Sequence, residues 1–339
     1  MKRSTIADIA KQAGVSIGAV SYALNGMPGV SPATRQRIID IANANGWRPN
    51  IAARSLSGAR AHAVGLVLAR PARTLGVEPF FMQFISGLEA ELSTRGSALL
   101  LQVVDGHDSA AEATGAWWAE RRVDGVIVTD LWAEDSRIPL LDKLGIPAVL
   151  VGRPRADTAL PAVWSDDAAA VTAAVDHLVA LGHRRIARVA GLAALEHTQV
   201  RTAAFRAATA AHGLPAADVV ETDYTGEEGA QATRTLLSRA ERPTAIVYDN
   251  DIMAVAALGV ARELGISVPD DLSVVAGDDS ALCALVHPEL TALSRDIAAY
   301  GSNAARTLLA VIDDQHPDSF QDATAELVVR ASTAAAPLS

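Results

Sequence analysis

The sequence predicts a small all-α module followed by a two-lobed α/β body, and three observations carry that expectation. Helix start and stop signals crowd around a glycine in "TIADIAKQAGVSIGAVSYALNG", residues 5–26. From about residue 62, apolar runs of strand length alternate with helical stretches: "AVGLVLA", "ALLLQVV", "DGVIVTD", "PAVLVGR", "RRIARVAG", "TAIVYDN" and "SVVAGDD". Such alternation means parallel sheets with helices on both faces, and the number of strands calls for two lobes. Charge divides at the same boundary. Residues 1–60 carry eight Lys or Arg against Asp8 and Asp40, whereas the rest carries 21 against 37. A basic head on an acidic body suggests a polyanion-binding module joined to a domain with another task.

In the front module, Ile6, Ile9 and Ala10 share one helical face, and Thr5 and Asp8 have the spacing of a capping box. Gly14 supplies a turn with positive φ. Ser16 caps a second helix whose inward face is Val20, Ala23 and Leu24. Ser31–Pro32 reads as N-cap and first residue of a third helix through Ile38, Ile39, Ile41 and Ala42, which stops near Asn45–Gly46. Two short helices crossing over a tight turn form a helix-turn-helix. The outward face of the second carries Ile17, Gly18, Ser21, Tyr22 and Asn25, neither charged like a solvated face nor apolar like a core. Those side chains suit groove and phosphate contacts on DNA.

The next segment, "RPNIAARSLSG" (48–58), allows a helix from the cap Asn50 to Gly58. A helix of roughly seven residues does not hold alone in water and orders only against a surface. With Ala53 and Arg54 on it and Leu56 exposed, that surface is a minor groove, Leu56 acting as a wedge between base steps. A plain linker is the default reading of the same residues.

These blocks, with "VSPATRQRIIDIANANGWRPNIAARSL", resemble the lactose-repressor (LacI/GalR) family of bacterial transcription regulators, and the similarity runs through the whole chain. The resemblance implies a DNA-binding headpiece with its second helix in the major groove and paired hinge helices that bend the operator. It places Ile17, Gly18 and Tyr22 at base-reading positions. Thr5, Ser16, Ser21, Asn25, Ser31 and Thr34 fall at phosphate positions, and Asn50, Ala53, Arg54 and Leu56 on the minor-groove hinge. Trp47 stands where the family usually has Tyr.

Ligands of open parallel sheets bind off the carboxyl ends of the strands, so residues after each strand, such as Asp130, Gly152, Asp249–Asn250–Asp251 and Asp278–Asp279, face a cleft between lobes. Segments such as "EPFFMQFISGLEAEL", "GIPAVLVGRP" and "VPDDLSVVAGDDS" extend the resemblance to a body like a periplasmic sugar-binding protein, with Rossmann-like lobes. By position it implies effector contacts at Phe80, Phe81, Asp130, Arg201, Tyr224, Asn250 and Asp278. An arginine fork and carboxylates suit vicinal hydroxyls, and Tyr224 offers a face to a sugar ring. Gly152 and Gly277 depart from the family's usual larger residues. Asp251 reads equally as a helix cap, Asp279 as a structural acceptor, and Trp117 and Trp118 as packing residues.

The division expected is a headpiece over 1–47, a hinge over 48–61 and an effector-binding, dimerising body over 62–339. The first lobe takes about 62–164 and 294–323, and the second about 165–293 and 324–335. Cys283, the single cysteine, excludes an internal disulfide and a thiolate metal cluster, and His177 and His183 have no metal-site spacing. No cofactor or metal is expected. The start lacks the apolar run of a signal peptide, and no apolar stretch approaches the length of a membrane span. A cytoplasmic, non-membrane protein is expected. Its partners are an operator duplex, a sugar-like effector and a second copy of the chain, without the tail that makes tetramers. Two rivals use the same lobes: a carbohydrate-active enzyme and a sugar-binding receptor. No G-x-G-x-x-G, Walker, G-x-S-x-G or H-E-x-x-H pattern supports the first, and a helix-turn-helix in place of an export signal opposes the second.

Overall fold

The computed structural model describes residues 4–24, 26–47, 60–71, 76 and 78–337. They belong to two compact units, Met1–Ala61 and His62–Ser339.

The first unit contains α1 (Ile6–Ala13), α2 (Ile17–Leu24) and α3 (Pro32–Ala44). Each helix begins where a short polar side chain meets an orphan N–H. Thr5 Oγ1 accepts from Asp8 N at 3.3 Å while the Asp8 carboxylate accepts from Thr5 N at 2.9 Å, the reciprocal capping box. Ser16 Oγ accepts from Ala19 N at 3.1 Å, and Ser31 Oγ from Thr34 N at 3.2 Å ahead of Pro32. Gly14 ends α1 at φ 64°. Ile9, Ala10, Ala13, Val20, Ala23, Ile38 and Ala42 close one small core, with Trp47 packed at its edge.

The second unit is built on two six-stranded sheets. The first orders its strands β11-β5-β4-β3-β1-β2 and the second β12-β10-β9-β8-β6-β7. The first comprises β1 (Ala63–Leu68), β2 (Ala98–Val103), β3 (Gly125–Val128), β4 (Ala148–Val151), β5 (Ala162–Trp164) and β11 (Phe320–Gln321). The second comprises β6 (Ile186–Ala190), β7 (Val219–Glu221), β8 (Ala245–Tyr248), β9 (Ser273–Ala276), β10 (Thr291–Ser294) and β12 (Glu326–Val328). Pairing is parallel except between β10 and β12.

Helices α4 (Pro79–Thr94), α5 (His107–Ala119), α6 (Arg137–Leu144) and α12 (Ile297–Ile312) cover the first sheet. The second carries α7 (Asp167–Ala180), α8 (Glu196–Ala211), α9 (Gly226–Leu237), α10 (Asp251–Glu263) and the short α11 (Ala281–Leu285). Covered on both faces, β3, β8 and β9 bury every residue, which is why they read as unbroken apolar runs. The chain passes from one sheet to the other after β5, after β10 and between β11 and β12. These passages leave the carboxyl ends of both sheets facing one cleft.

Trp117 is buried over Gly65, and Trp118 packs at the edge of the same core. Asp279 accepts two bonds from Arg330 at 2.8 and 2.9 Å. All three are structural.

Helices α4 and α12 cross at bare backbone. A methyl on Gly87 would overlap the Ala298 carbonyl, one on Gly301 the Phe84 carbonyl, and Ser302 Oγ donates to Gly87 O at 2.9 Å. Gly259, inside α10, has nothing within 4 Å of such a methyl. Denaturant unfolding should therefore separate two chemically identical changes. Gly301→Ala should destabilise by about 1–3 kcal/mol or more, whereas Gly259→Ala should stabilise by about 0.5–1 kcal/mol. Equal effects of the two would contradict the close crossing.

Candidate functional site

In the first unit, α2 turns Val20 and Ala23 inward and leaves Ile17 and Tyr22 outward, 55% and 52% exposed, with Gly18 between them in the turn of the helix. Two large side chains this bare share an exposed surface of a two-turn helix. Ser21 is half-buried beside them. Thr5, Ser16, Ser31 and Thr34 all sit at helix N-termini; the hydroxyls of the first three accept capping bonds, and Ser31 Oγ also donates to Thr34 Oγ1 at 2.8 Å. N-terminal N–H groups gather at the same places, a setting that favours phosphate. Arg35, counted only as a charge in the sequence, is tied inward. Its guanidinium donates to Ala23 O at 2.9 Å, Tyr22 O at 3.3 Å and Met27 O at 2.5 Å, satisfying carbonyls that the end of α2 leaves open. Asn25, Asn50, Ala53, Arg54 and Leu56 lie outside the described residues.

The second unit holds a cleft between the two sheets, whose empty space, open solvent included, is about 830 Å³. Strand ends supply most of its walls. Arg70 follows β1, Thr129 and Asp130 follow β3, Gly152 and Arg153 follow β4, and Ser165 follows β5. From the other sheet come Tyr224 after β7, Asp249 after β8, Asp278 after β9 and Arg295 after β10, with His197 and Arg201 from α8. Phe80, Phe81 and Glu78, at the head of α4, close one end. The lobes also touch directly: Glu196 N donates to Leu131 O at 2.8 Å, and Trp132 pairs with Leu195 in an isolated antiparallel bridge.

Charge in the cleft is paired by geometry. Arg70 grips Asp130 through Nε at 2.7 Å and Nη2 at 3.0 Å. Arg201 grips Asp167 at 3.0 and 2.7 Å, and the fully buried Arg188 holds Asp249 from behind at 2.9 and 2.7 Å. Burial opposes ionisation of Asp130 and Asp167, yet Arg70 and Arg201 keep both below the usual carboxylate range. Burial draws His197 down to about 4, with Arg201 adding to the effect, so its ring is neutral near pH 7. Glu78 and Asp278 have no such grip. Burial pushes Glu78 up to about 8 against the pull of Arg70, and Asp278 up to about 6 against Arg201 and Arg295.

Six of the seven expected effector residues line this cleft: Phe80, Phe81, Asp130, Arg201, Tyr224 and Asp278. Asn250 does not. It is the N-cap of α10: its Oδ1 accepts from Met253 N at 2.9 Å and its Nδ2 donates to Tyr224 O at 3.0 Å, so both ends of the amide are engaged in the fold. Asp251, one residue on, is the first residue of the helix rather than its cap.

Tyr224 lines the cleft with one ring face and its hydroxyl already engaged. Arg70 lies 4.6 Å above its ring, and its hydroxyl meets His197 Nε2 at 2.8 Å and Thr198 Oγ1 at 3.0 Å. One face of the ring thus carries a guanidinium. The glycine departures follow from crowding. At Gly152, φ 151°, a methyl would come 2.8 Å from Leu131 Cδ1, and at Gly277 it would overlap the carbonyls of Tyr248 and Asp249. The residues missed by sequence reasoning are Arg70, Glu78, Asp167, His197 and Arg295. Arg70 follows a strand as Asp130 does, and the strand-end rule applied to β1 points to it.

Residues 5–50 match the family described as bacterial regulatory proteins, lacI family, and residues 175–333 match the periplasmic binding protein-like domain. The regulator CelR of Thermobifida fusca is 34% identical over 313 residues, covering 91% of this chain and 92% of that protein. The chain belongs to the LacI family. The regulator reg1 of Streptomyces lividans is 35% identical over 98% of this chain and 97% of its own. Among solved structures, a lac repressor dimer bound to operator and the anti-inducer ONPF superposes with a TM-score of 0.85 at 26% identity, over 98% of this chain and 100% of that one. A CelR–cellobiose complex gives 0.74 at 31% identity, over 97% and 100%. This LacI-family chain is thus a DNA-binding transcriptional regulator, and its relatives' character sets the enzyme reading aside. Among the described residues, no helix is long and apolar enough to cross a membrane.

The ungripped Glu78 makes stability depend on pH. Folded, it keeps its proton to about pH 8; unfolded, it releases it near the ordinary glutamate value, about 4.3. Between these values the unfolded chain binds fewer protons, so this group's contribution to stability falls as pH rises. Glu78→Gln removes that slope. Its melting temperature relative to wild type should rise by roughly 2 °C or more from about pH 5 to about pH 8. A difference that stays constant across this range would contradict the burial of an ungripped carboxyl.

Proposed function

We propose that this regulator is a ligand-responsive repressor that binds a pseudo-palindromic operator as a homodimer in the cytoplasm, with a sugar-like effector held between the lobes of its body. The observation that carries the reading is the cleft itself. Arginine–carboxylate pairs with further acceptors and donors line a cleft between two lobes, in a chain whose other unit exposes Ile17 and Tyr22 on a capped helix. Planar forks and carboxylates arranged around apolar rings are the chemistry that recognises vicinal hydroxyls. The CelR–cellobiose and operator-bound lac repressor structures support the same pairing of roles.

The working division is a headpiece over 1–47, a connector over 48–61 and a body over 62–339. Ile17, Gly18 and Tyr22 read bases; Thr5, Ser16, Ser21, Asn25, Ser31 and Thr34 hold phosphates. Asn50, Ala53, Arg54 and Leu56 engage the minor groove, Leu56 as the wedge. In the body, Phe80, Phe81, Asp130, Arg201 and Asp278 meet the effector. Ligand bound to both lobes changes the angle between them, and with it the separation of the two connectors of a dimer. Typical couplings of this kind are about 1–3 kcal/mol.

Selection of binding duplexes from a random pool tests the DNA half of the reading. A two-fold-symmetric site should emerge, with half-sites whose spacing reflects the helical repeat. On that site, Ile17→Ala and Tyr22→Ala should each cost about 1–3 kcal/mol in anisotropy titrations and relax selectivity at particular base pairs. A uniform loss on all duplexes would remove their base-reading role, and an asymmetric or absent consensus would remove the dimeric operator.

A further inference from the structure

Hydrogen-bonding capacity left over in the second unit concentrates in the cleft. Among the described residues, seven buried side-chain nitrogen or oxygen atoms make no hydrogen bond, and four belong to cleft-lining residues: Arg70 Nη1, Glu78 Oε2, Thr129 Oγ1 and Glu196 Oε2. Glu196 has a charge partner in Arg155, 3.9 Å away. Arg70 and Glu78 form the sharper case. They are 3% and 6% exposed, both line the first lobe's side of the cleft, and each feels the other's charge. Arg70 already gives Nε and Nη2 to Asp130, which leaves the N–H groups of Nη1 over. Glu78 stands at the N-cap of α4 yet makes no cap bond, and Pro79 behind it has no N–H to offer. A buried donor and a buried carboxyl left open on the same lobe's wall of the cleft are destabilising unless other groups satisfy them.

We propose that Arg70 and Glu78 form a subsite for an uncharged hydroxyl of the effector, its oxygen accepting from Arg70 Nη1 while it bonds to the Glu78 carboxyl. The assignment rests on the effector reading above and narrows it. A hydroxyl accepts and donates through one oxygen, so it satisfies both partners whether or not Glu78 carries a proton. A primary ammonium cannot accept from Arg70 and sets cation against cation. For an added negative charge the corner is mixed: Arg70 favours it, whereas Asp130, Asp278 and Asp251 oppose it. The corner therefore offers one oxygen a donor and a carboxyl together, a pair of demands that a neutral hydroxyl meets. Thr129 Oγ1, just beyond β3, is a further open hydroxyl on the same lobe.

Calorimetric titration of the full chain with cellobiose and maltose, then with monodeoxy analogues of whichever binds, tests the subsite. Glu78→Gln keeps a donor and an acceptor on one amide and should bind the disaccharide within about threefold of wild type. Glu78→Leu has neither and should lose about tenfold or more, the scale of one hydrogen bond to a buried polar partner. Arg70→Lys keeps the charge beside Asp130 without Nη1 and should lose a comparable amount. One monodeoxy analogue should bind wild type about tenfold more weakly than the parent sugar, yet bind Glu78→Leu as well as the parent does. Melting curves report whether each variant is folded; if Glu78→Leu is not, Arg70→Lys and Glu78→Gln give the answer.

Binding by Glu78→Leu or Arg70→Lys equal to wild type would overturn the subsite while leaving the effector site standing. So would analogues that all lose equally on wild type and variants. Binding of an amino sugar or a uronic acid in preference to the neutral sugars would overturn the choice of a hydroxyl. No sugar binding to wild type at all would overturn the sugar-effector reading, and the subsite with it.

Discussion

A guanidinium removed from water must find acceptors, and in this chain that requirement shapes both units. In the body, Arg188, Arg201 and Arg70 each close a fork on a carboxylate at the carboxyl end of the sheets. The pairs do more than neutralise charge. Asp249, fixed by Arg188, also accepts from Gly191 N at 2.9 Å and so ties the ends of β6 and β8 together. Arg70, fixed by Asp130, presents its flat face to Tyr224 in the other lobe. One forked contact thereby serves ion pairing within a lobe and stacking between lobes. Any change in the angle of the lobes has to rearrange that stack and the Leu131–Glu196 bond beside it.

The same physics explains an arginine in the small unit. A basic count treats Arg35 as part of a charged surface, but its guanidinium is turned to the carbonyls that end α2. The helix that carries Ile17 and Tyr22 is only eight residues long, below the length at which helices hold in isolation. Its geometry comes from the Ser16 cap at one end, the Arg35 fork at the other, and Val20 and Ala23 in the core between them. Electrostatic attraction to a polyanion is left to other basic side chains.

Elements governed by local chemistry were the legible ones. Thr5 with Asp8, Gly14, and Ser31 with Pro32 mark helix ends through interactions spanning three or four residues, and all act as read. Long apolar runs announce the buried strands. Five other short strands, β5, β7, β10, β11 and β12, carry no run of that kind and are defined by their neighbours in the sheet.

At the cleft, the strand-end rule located Asp130 and Asp278 but not Asn250, because the second residue after β8 is the cap of α10 and capping claims its amide. Glu78 and His197 could not be read at all. Nothing in their local spacing separates a buried cleft residue from an ordinary polar one; only the meeting of α4 and α8 with distant strands does that. Tyr224 was found but not its neighbour Arg70, whose guanidinium lies over one face of its ring.

The central claim is that occupancy of the cleft and grip on DNA are two readings of one equilibrium. Linkage makes that claim symmetric: whatever factor a ligand applies to operator affinity, operator must apply to ligand affinity. The direct measurement is the dissociation constant of cellobiose, or whichever neutral disaccharide binds, determined by calorimetry on the full chain with and without saturating operator duplex. It is then set against the operator constant determined with and without that sugar. The account predicts two ratios that differ from one and agree with each other. A sugar constant unmoved by operator would contradict it.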